Sequence, residues 1–102
     1  MYMHIVMMEF SPDAGPEFFA RVQTYAERIR QECTGVRIYH FGTNEAARAE
    51  GFTHAVVSAF DSSPVHDAYQ VSPAHVEMKT YMGPYIQRLV AFDGEAPLLK
   101  SA

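Results

Sequence analysis

The chain has 102 residues, of which 48% are hydrophobic and 13% aromatic, so intrinsic disorder is excluded and one domain with a small core is expected. The formal net charge is -4 with only 8 Lys and Arg residues, which argues against nucleic acid or an anionic membrane as a partner.

The single cysteine, Cys33, cannot form an intrachain disulfide. This favours a reduced compartment, and we expect a cytoplasmic protein. Because no apolar run approaches the roughly 18 residues that a spanning helix needs, a membrane is not expected as a partner either.

The first half of the chain predicts a strand, a helix and two further strands. Many β-forming residues and methionines indicate a strand from Tyr2 to Phe10. From Pro16 to Cys33, apolar residues recur every three or four positions, which is typical of an amphipathic helix. Val36 to Phe41 and Phe52 to Phe60 predict the second and third strands, with a polar loop between them.

Two helix starts follow the third strand. The segment 61–64, Asp-Ser-Ser-Pro, opens a short helix that runs through Tyr69. A second helix starts at Ser72, since a serine followed by a proline places a capping hydroxyl before a proline at the first helical position. This helix is expected to end near Met82, before the glycine and proline that follow.

Residues 85–92 predict the last strand, so the elements follow the order β-α-β-β-α-β. This order is typical of an α+β fold, the ferredoxin-like split βαβ arrangement. We expect a single domain over residues 1–94 and a short tail over residues 95–102.

Both faces of the predicted sheet are apolar. Because side chains alternate along a strand, two sets of residues share the face turned away from the helices: Met3, Ile5 and Met7 in the first strand, and Ala55, Val57 and Ala59 in the third. Two helical segments cover only one face, so a second copy of the chain is expected on the other, giving a homodimer. The alternative is a monomer whose open face carries only modest apolar residues.

Four polar side chains are predicted to line a space between the sheet and the helices: His4, His54, Tyr69 and His75. His75 lies at the third position of a capped helix, where the helix dipole disfavours the imidazolium and leaves a neutral proton acceptor. Tyr69, just before the cap, offers a phenolic donor to the same space. His4 and His54 are expected at the two ends of one elongated cavity, because their strands run antiparallel.

No metal site is predicted. The strand histidines lie too far apart to share one ion, and no cluster of carboxylates and histidines shows the spacing of metal ligands. His40 and His66 are interpreted as surface residues, and Cys33 lacks a base that would activate it as a nucleophile.

Several motifs resemble one known family. They are Met3-His4-Ile5-Val6, the segment 51–57 (Gly-Phe-Thr-His-Ala-Val-Val), Ala68-Tyr69, Ser72-Pro73-Ala74-His75 and the segment 90–93 (Val-Ala-Phe-Asp). Over nearly the whole chain these are similar to the stress-responsive dimeric α/β-barrel domain, Dabb. The resemblance implies a ferredoxin-like protomer that pairs into a dimeric α/β barrel.

The resemblance also implies a chemistry. In the branch of the family that includes olivetolic acid cyclase, the histidine matching His75 is the base and the tyrosine matching Tyr69 holds the reacting carbonyl. Histidines matching His4 and His54 line the pocket, and no metal or organic cofactor takes part. Ser72 departs from the histidine that the family often has at that position.

The expected function is therefore binding of a small hydrophobic carbonyl compound by a homodimer, with cofactor-free acid–base chemistry of the cyclase, isomerase or aldol-type lyase class. Two alternatives stay open. One is a non-catalytic, stress-responsive ligand-binding module in which the histidines only satisfy buried hydrogen bonds. The other is a cofactor-independent monooxygenase of the related barrel type.

Overall fold

The computed structural model describes residues 1–99, and its elements follow the predicted order. They are β1 (Tyr2–Phe10), α1 (Pro16–Glu32), β2 (Val36–Thr43), β3 (His54–Phe60), α2 (Ser63–Gln70), α3 (Pro73–Met82), a 3-10 turn (Gly83–Tyr85) and β4 (Ile86–Glu95). Among residues 1–99, no helix has both the length and the apolar character that crossing a bilayer requires.

The four strands form one antiparallel sheet in the order β2-β3-β1-β4. The first and third strands lie at the centre, as the right-handed crossovers of a split βαβ unit require. The predicted fold class, α+β and ferredoxin-like, is confirmed.

Helix α1 supplies much of the core. It begins at Pro16, whose fixed backbone angle suits the first helical position. It buries one stripe at helical spacing, made of Phe18, Val22, Tyr25, Ala26 and Ile29. Gly35 takes a positive φ of 77° just after the helix, and a Cβ there would lie 2.8 Å from a methyl carbon of Val65. Only glycine therefore suits this turn.

Strand β4 is longer than its sequence pattern predicts. The prediction ended it at Phe92, but pairing with β1 continues it to Glu95. Gly94 and Asp93 have low β-propensity, and the ladder to Met3 and His4 outweighs it. The predicted tail thus starts at the end of this strand, and its last three residues, 100–102, lie outside the described residues.

One face of the sheet carries the helices and the other is open. The open face is apolar, as predicted, and holds Met3, Ile5, Met7, Ala55, Val57, Ala59, Val90 and Phe92. Phe92 is 58% exposed and Val90 49%. A face of this kind calls for a partner surface.

Candidate active site

A cavity of about 280 Å³ lies on the helix side of the sheet. Helix α3 packs mainly on α1 and on the 3-10 turn, while α2 contacts β1 and β3. The cavity therefore separates α3 from β1 and β4. Because the helices leave β4 largely uncovered, its helix-facing residues Leu89, Ala91 and Asp93 form an exposed wall.

The residues that line the cavity divide into an apolar wall and a polar group. The apolar wall consists of Val6, Met8, Val56, Met78, Met82, Ile86, Leu89 and Ala91. The polar lining consists of His4, Tyr39, Tyr69, Gln70, His75, Lys79 and Asp93. A ligand with one polar group and an apolar body fits this division.

His75 reaches the cavity from the start of α3. The Ser72 hydroxyl accepts a hydrogen bond from the His75 backbone N–H at 3.3 Å, which caps the helix as predicted. The imidazole Nδ1 lies 3.0 Å from the Gln70 carbonyl oxygen. A carbonyl only accepts, so Nδ1 carries the proton and Nε2 keeps its lone pair.

The pKa of His75 lies below its ordinary value. The largest cause is burial, while Lys79, His4 and His66 lower the pKa further by charge repulsion and the hydrogen bond to Gln70 opposes them. The direction agrees with the sequence prediction, but burial rather than the helix dipole is the main reason. His75 is neutral at pH 7 and can accept a proton.

Tyr69 lies on the last turn of α2, and its ring centroid is 4.4 Å from that of His75. Its hydroxyl lies 2.8 Å from the hydroxyl of Tyr39, which in turn contacts the Met78 sulfur. Burial raises the pKa of both phenols, that of Tyr39 to about 12. Tyr69 stays protonated. Its proton is free for a ligand when Tyr39 turns its own proton from the Met78 sulfur to the Tyr69 oxygen.

His4 faces the same cavity from β1. It is a cross-strand partner of Asp93 in β4, and its Nδ1 donates a hydrogen bond to the Asp93 carboxylate. Its ring lies edge-on to Tyr69 with centroids 5.9 Å apart. Tyr69, His75 and His4 therefore come together around one space.

His54 does not join them. In the antiparallel pairing of β1 with β3, His54 lies opposite Met8 and His4 lies opposite Ser58, so the two histidines are at opposite ends of the sheet. The cavity occupies only the His4 end. Instead of lining that cavity, His54 stacks on Phe19 at 4.4 Å in a separate depression. Burial lowers its pKa.

His66 is a residue that the sequence interpretation placed wrongly. It is only 4% exposed and packs against His4, with ring centroids 4.5 Å apart. It precedes Tyr69 by three positions, so the two share the inward face of α2. This three-residue spacing is visible in the sequence and could have indicated that His66 faces inward with Tyr69. His40, by contrast, is exposed as predicted.

The statement that no carboxylate–histidine cluster exists at ligand spacing is also wrong. The ligand atoms of His4, His66 and Asp93 all lie within 4.8 Å of one another. The prediction missed the cluster because it kept His66 on the surface and ended β4 before Asp93.

The fold has counterparts among solved structures. At3g17210 from Arabidopsis thaliana superposes with a TM-score of 0.81 at 21% identity, over 99% of this chain and 100% of that chain. A dimeric ferredoxin-like protein of unknown function from Thermobifida fusca gives 0.81 at 22% identity, over 93% and 90%. The hydroxynitrile lyase from Passiflora edulis gives 0.83 at 19% identity, over 98% and 96%. At these identities the likeness shows the fold alone.

No curated protein matches the chain in sequence. The family model for the stress responsive A/B barrel domain, Dabb, matches residues 3–96, which include every cavity residue named above. The chain therefore belongs to the Dabb family.

Proposed function

We propose that this protein binds a small hydrophobic carbonyl compound in the cavity and catalyses proton transfer at a carbon next to the carbonyl. His75 is the base and Tyr69 the donor to the carbonyl oxygen. The observation that carries the proposal is the pairing of a neutral imidazole with a protonated phenol, ring centroids 4.4 Å apart, beside one apolar wall.

The chemistry follows from the protonation of the two groups. Nε2 of His75 takes a proton from the carbon, and the electron pair moves onto the carbonyl oxygen as an enolate. Tyr69 donates a hydrogen bond to that oxygen as its charge develops, which supports the transition state more than the ground state. The imidazolium then returns its proton to carbon, which completes an isomerisation.

The same steps also support ring closure. In a molecule with a second carbonyl, the enolate carbon attacks that carbonyl carbon, and the new alkoxide takes the proton from His75. Neither route needs an organic cofactor. Tyr69 is only 3% exposed, and the low local dielectric strengthens the hydrogen bond that it donates.

We also propose that the working form is a homodimer that pairs the open sheet faces into an α/β barrel. The apolar character of that face supports this proposal, and the similar protein from Thermobifida fusca is itself dimeric. A cytoplasmic location stays a prediction that rests on the single cysteine.

The activity is tested with a ketone that exchanges slowly by itself. In D₂O at pH 7, the wild-type protein should accelerate deuterium entry next to the carbonyl of 2-nonanone, measured by mass spectrometry. His75→Ala should abolish the acceleration, because it removes the base. Tyr69→Phe should slow exchange by about 10²–10³-fold, since it removes one donor to the developing oxyanion.

The matched control is Val76→Ala. Val76 follows His75 on α3 but is 48% exposed, so this variant should accelerate deuterium exchange as much as the wild type does. The double variant should be barely slower than His75→Ala, because groups that act as a unit are not additive. Binding of 2-nonanone with no exchange by the wild type would refute catalysis and favour a ligand-binding module. Ketone-dependent oxygen consumption would favour the monooxygenase alternative.

A further inference from the structure

His4 and Asp93, which line the polar end of the cavity, meet the buried His66 of α2. His4 is 7% exposed and His66 4%, and the ligand atoms of both lie within 4.8 Å of each other and of an Asp93 oxygen. Neither the proton transfer nor the packing of the core needs this arrangement. A phenylalanine or leucine at position 66 would fill the same space beside Phe60 and Tyr2.

We propose that His4, His66 and Asp93 form a binding site for a divalent transition metal, with Zn²⁺ as the ion that fits best. Two imidazole nitrogens and one carboxylate oxygen suit a borderline ion such as zinc, whereas Mg²⁺ and Ca²⁺ prefer oxygen ligands only. Three protein ligands leave a fourth position open for water or another small ligand.

The spacing is compatible with such an ion. Ligand atoms about 2.0–2.2 Å from a tetrahedral zinc lie roughly 3.4 Å from one another. The ligand atoms lie within 4.8 Å of one another, so metal binding would require side-chain rotations that bring them to this spacing. His4 would then exchange its hydrogen bond to Asp93 for a shared bond to the metal.

The three side chains stand on three regular elements. His4 and Asp93 are cross-strand partners in the β1–β4 ladder, so the sheet sets their separation. His66 is presented by α2, which the Ser62 hydroxyl caps and which packs on β1 and β3. The Gln70 amide nitrogen donates to Nε2 of His66 at 3.1 Å. When the metal binds through Nδ1, this amide turns over so that its oxygen accepts from Nε2–H and orients the ring.

The cluster is close to the proposed catalytic pair but does not share a residue with it. The ring centroids of His4 and His66 lie 5.9 and 5.8 Å from that of Tyr69. Metal binding is therefore measurable without a ketone, and its outcome is independent of whether the protein accelerates exchange.

The test is equilibrium dialysis of chelator-treated protein against ZnCl₂ at micromolar concentration. One equivalent per chain is expected. His66→Gln and Asp93→Asn roughly keep the size of each side chain. Each should weaken Zn²⁺ binding by at least about tenfold, because mutating even a residue that only hydrogen-bonds to a metal ligand lowers metal affinity by that factor. His40→Ala, which removes an exposed histidine, should bind like the wild type.

Co²⁺ gives a second readout that reports on the ligands themselves. Visible absorption bands of four- or five-coordinate Co²⁺ are expected in the wild type and should vanish in His66→Gln. Circular dichroism of each variant checks that the fold is retained. Absence of saturable binding, or binding that His66→Gln and Asp93→Asn leave unchanged while His40→Ala weakens it, would overturn the proposal. The cluster would then be a hydrogen-bonded structural group.

Discussion

At the scale of single residues, the chemistry of the cavity is set by neighbours that contribute only one hydrogen bond each. The Gln70 carbonyl determines which nitrogen of His75 keeps its lone pair, and the Tyr39 hydroxyl holds the Tyr69 hydroxyl in place at 2.8 Å. Neither neighbour takes part in the proposed reaction. Each acts by orienting a group that does.

The pH dependence of exchange follows from the lowered pKa of His75. The base is active only when neutral, so kcat/KM should rise with pH through the lowered pKa of His75 and level off above it. The charges of Lys79, His4 and His66 lower the pKa of this ring, while the hydrogen bond to the Gln70 carbonyl raises it. Lys79→Met removes one repelling charge, so the rising limb should move to higher pH.

The matched control for Lys79→Met is Arg48→Met, which removes an equal charge from the exposed loop between β2 and β3. Its profile, measured from the initial rates of deuterium entry, should coincide with that of the wild type. A limb that stays in place or moves to lower pH in Lys79→Met would contradict the assignment of this pKa to His75.

Only some of these residues were predictable from the sequence. Tyr69 and His75 flank one helix start, and local signals place both. The position of His66 depends on how α2 docks on the sheet, and that of Asp93 on how far β1 prolongs β4. His54 lies at the opposite end of the sheet from His4, as predicted, but the extent of the cavity depends on how the helices dock. Docking and register are tertiary properties, so residue spacing alone does not determine them.

At the scale of elements, the junction between α2 and α3 matters most. Tyr69 lies on the last turn of one helix and His75 on the first turn of the next, with only Val71 and Ser72 between the helices. The bend lets two short helices bring a donor and an acceptor together. A single continuous helix would separate residues 69 and 75 by about 9 Å along its axis.

Loss of the cap at this junction should destabilise the protein. Ser72→Ala removes the acceptor for the His75 backbone N–H and is expected to lower the free energy of unfolding by about 0.5–2 kcal/mol, measured by urea denaturation. Ser63→Ala, at an exposed first-turn position of α2, should stay within about 0.5 kcal/mol of the wild type. Equal stability of the two variants would argue against the cap.

The element order followed from periodicity and turn residues, and most bounds agree within two residues. The exception at the end of β4 has a physical cause. A strand is prolonged by its neighbour, and the pairing of Met3 with Gly94 is a contact over 91 positions that no local pattern reports.

At the scale of the whole molecule, the sheet has a covered face and an open one. The covered face holds the cavity, and the open face carries Ile5 and Val57 side by side on the central strands. If two copies pair through this face, each cavity stays on the outside of the assembly, between its own sheet and helices. Association and ligand binding then use opposite sides of the same strands.

Val57→Lys tests the pairing. Burying an ammonium group in an apolar interface costs several kcal/mol, so the variant should be a monomer by light scattering where the wild type is a dimer. Thr24→Lys adds the same charge to an exposed position of α1, away from the sheet, and should leave the dimer intact. A wild-type protein that is monomeric at micromolar concentration would refute the dimer.

The apolar wall of the cavity contains three methionines, Met8, Met78 and Met82. Their unbranched, polarisable side chains change shape at little cost, so the wall accommodates molecules of different outline. Selectivity among ligands then depends on the polar end of the cavity, and the tolerance of different ligand shapes depends on the three methionines. Under the proposed function, substitutions among the three methionines would change which molecules fit the cavity without altering His75 or Tyr69.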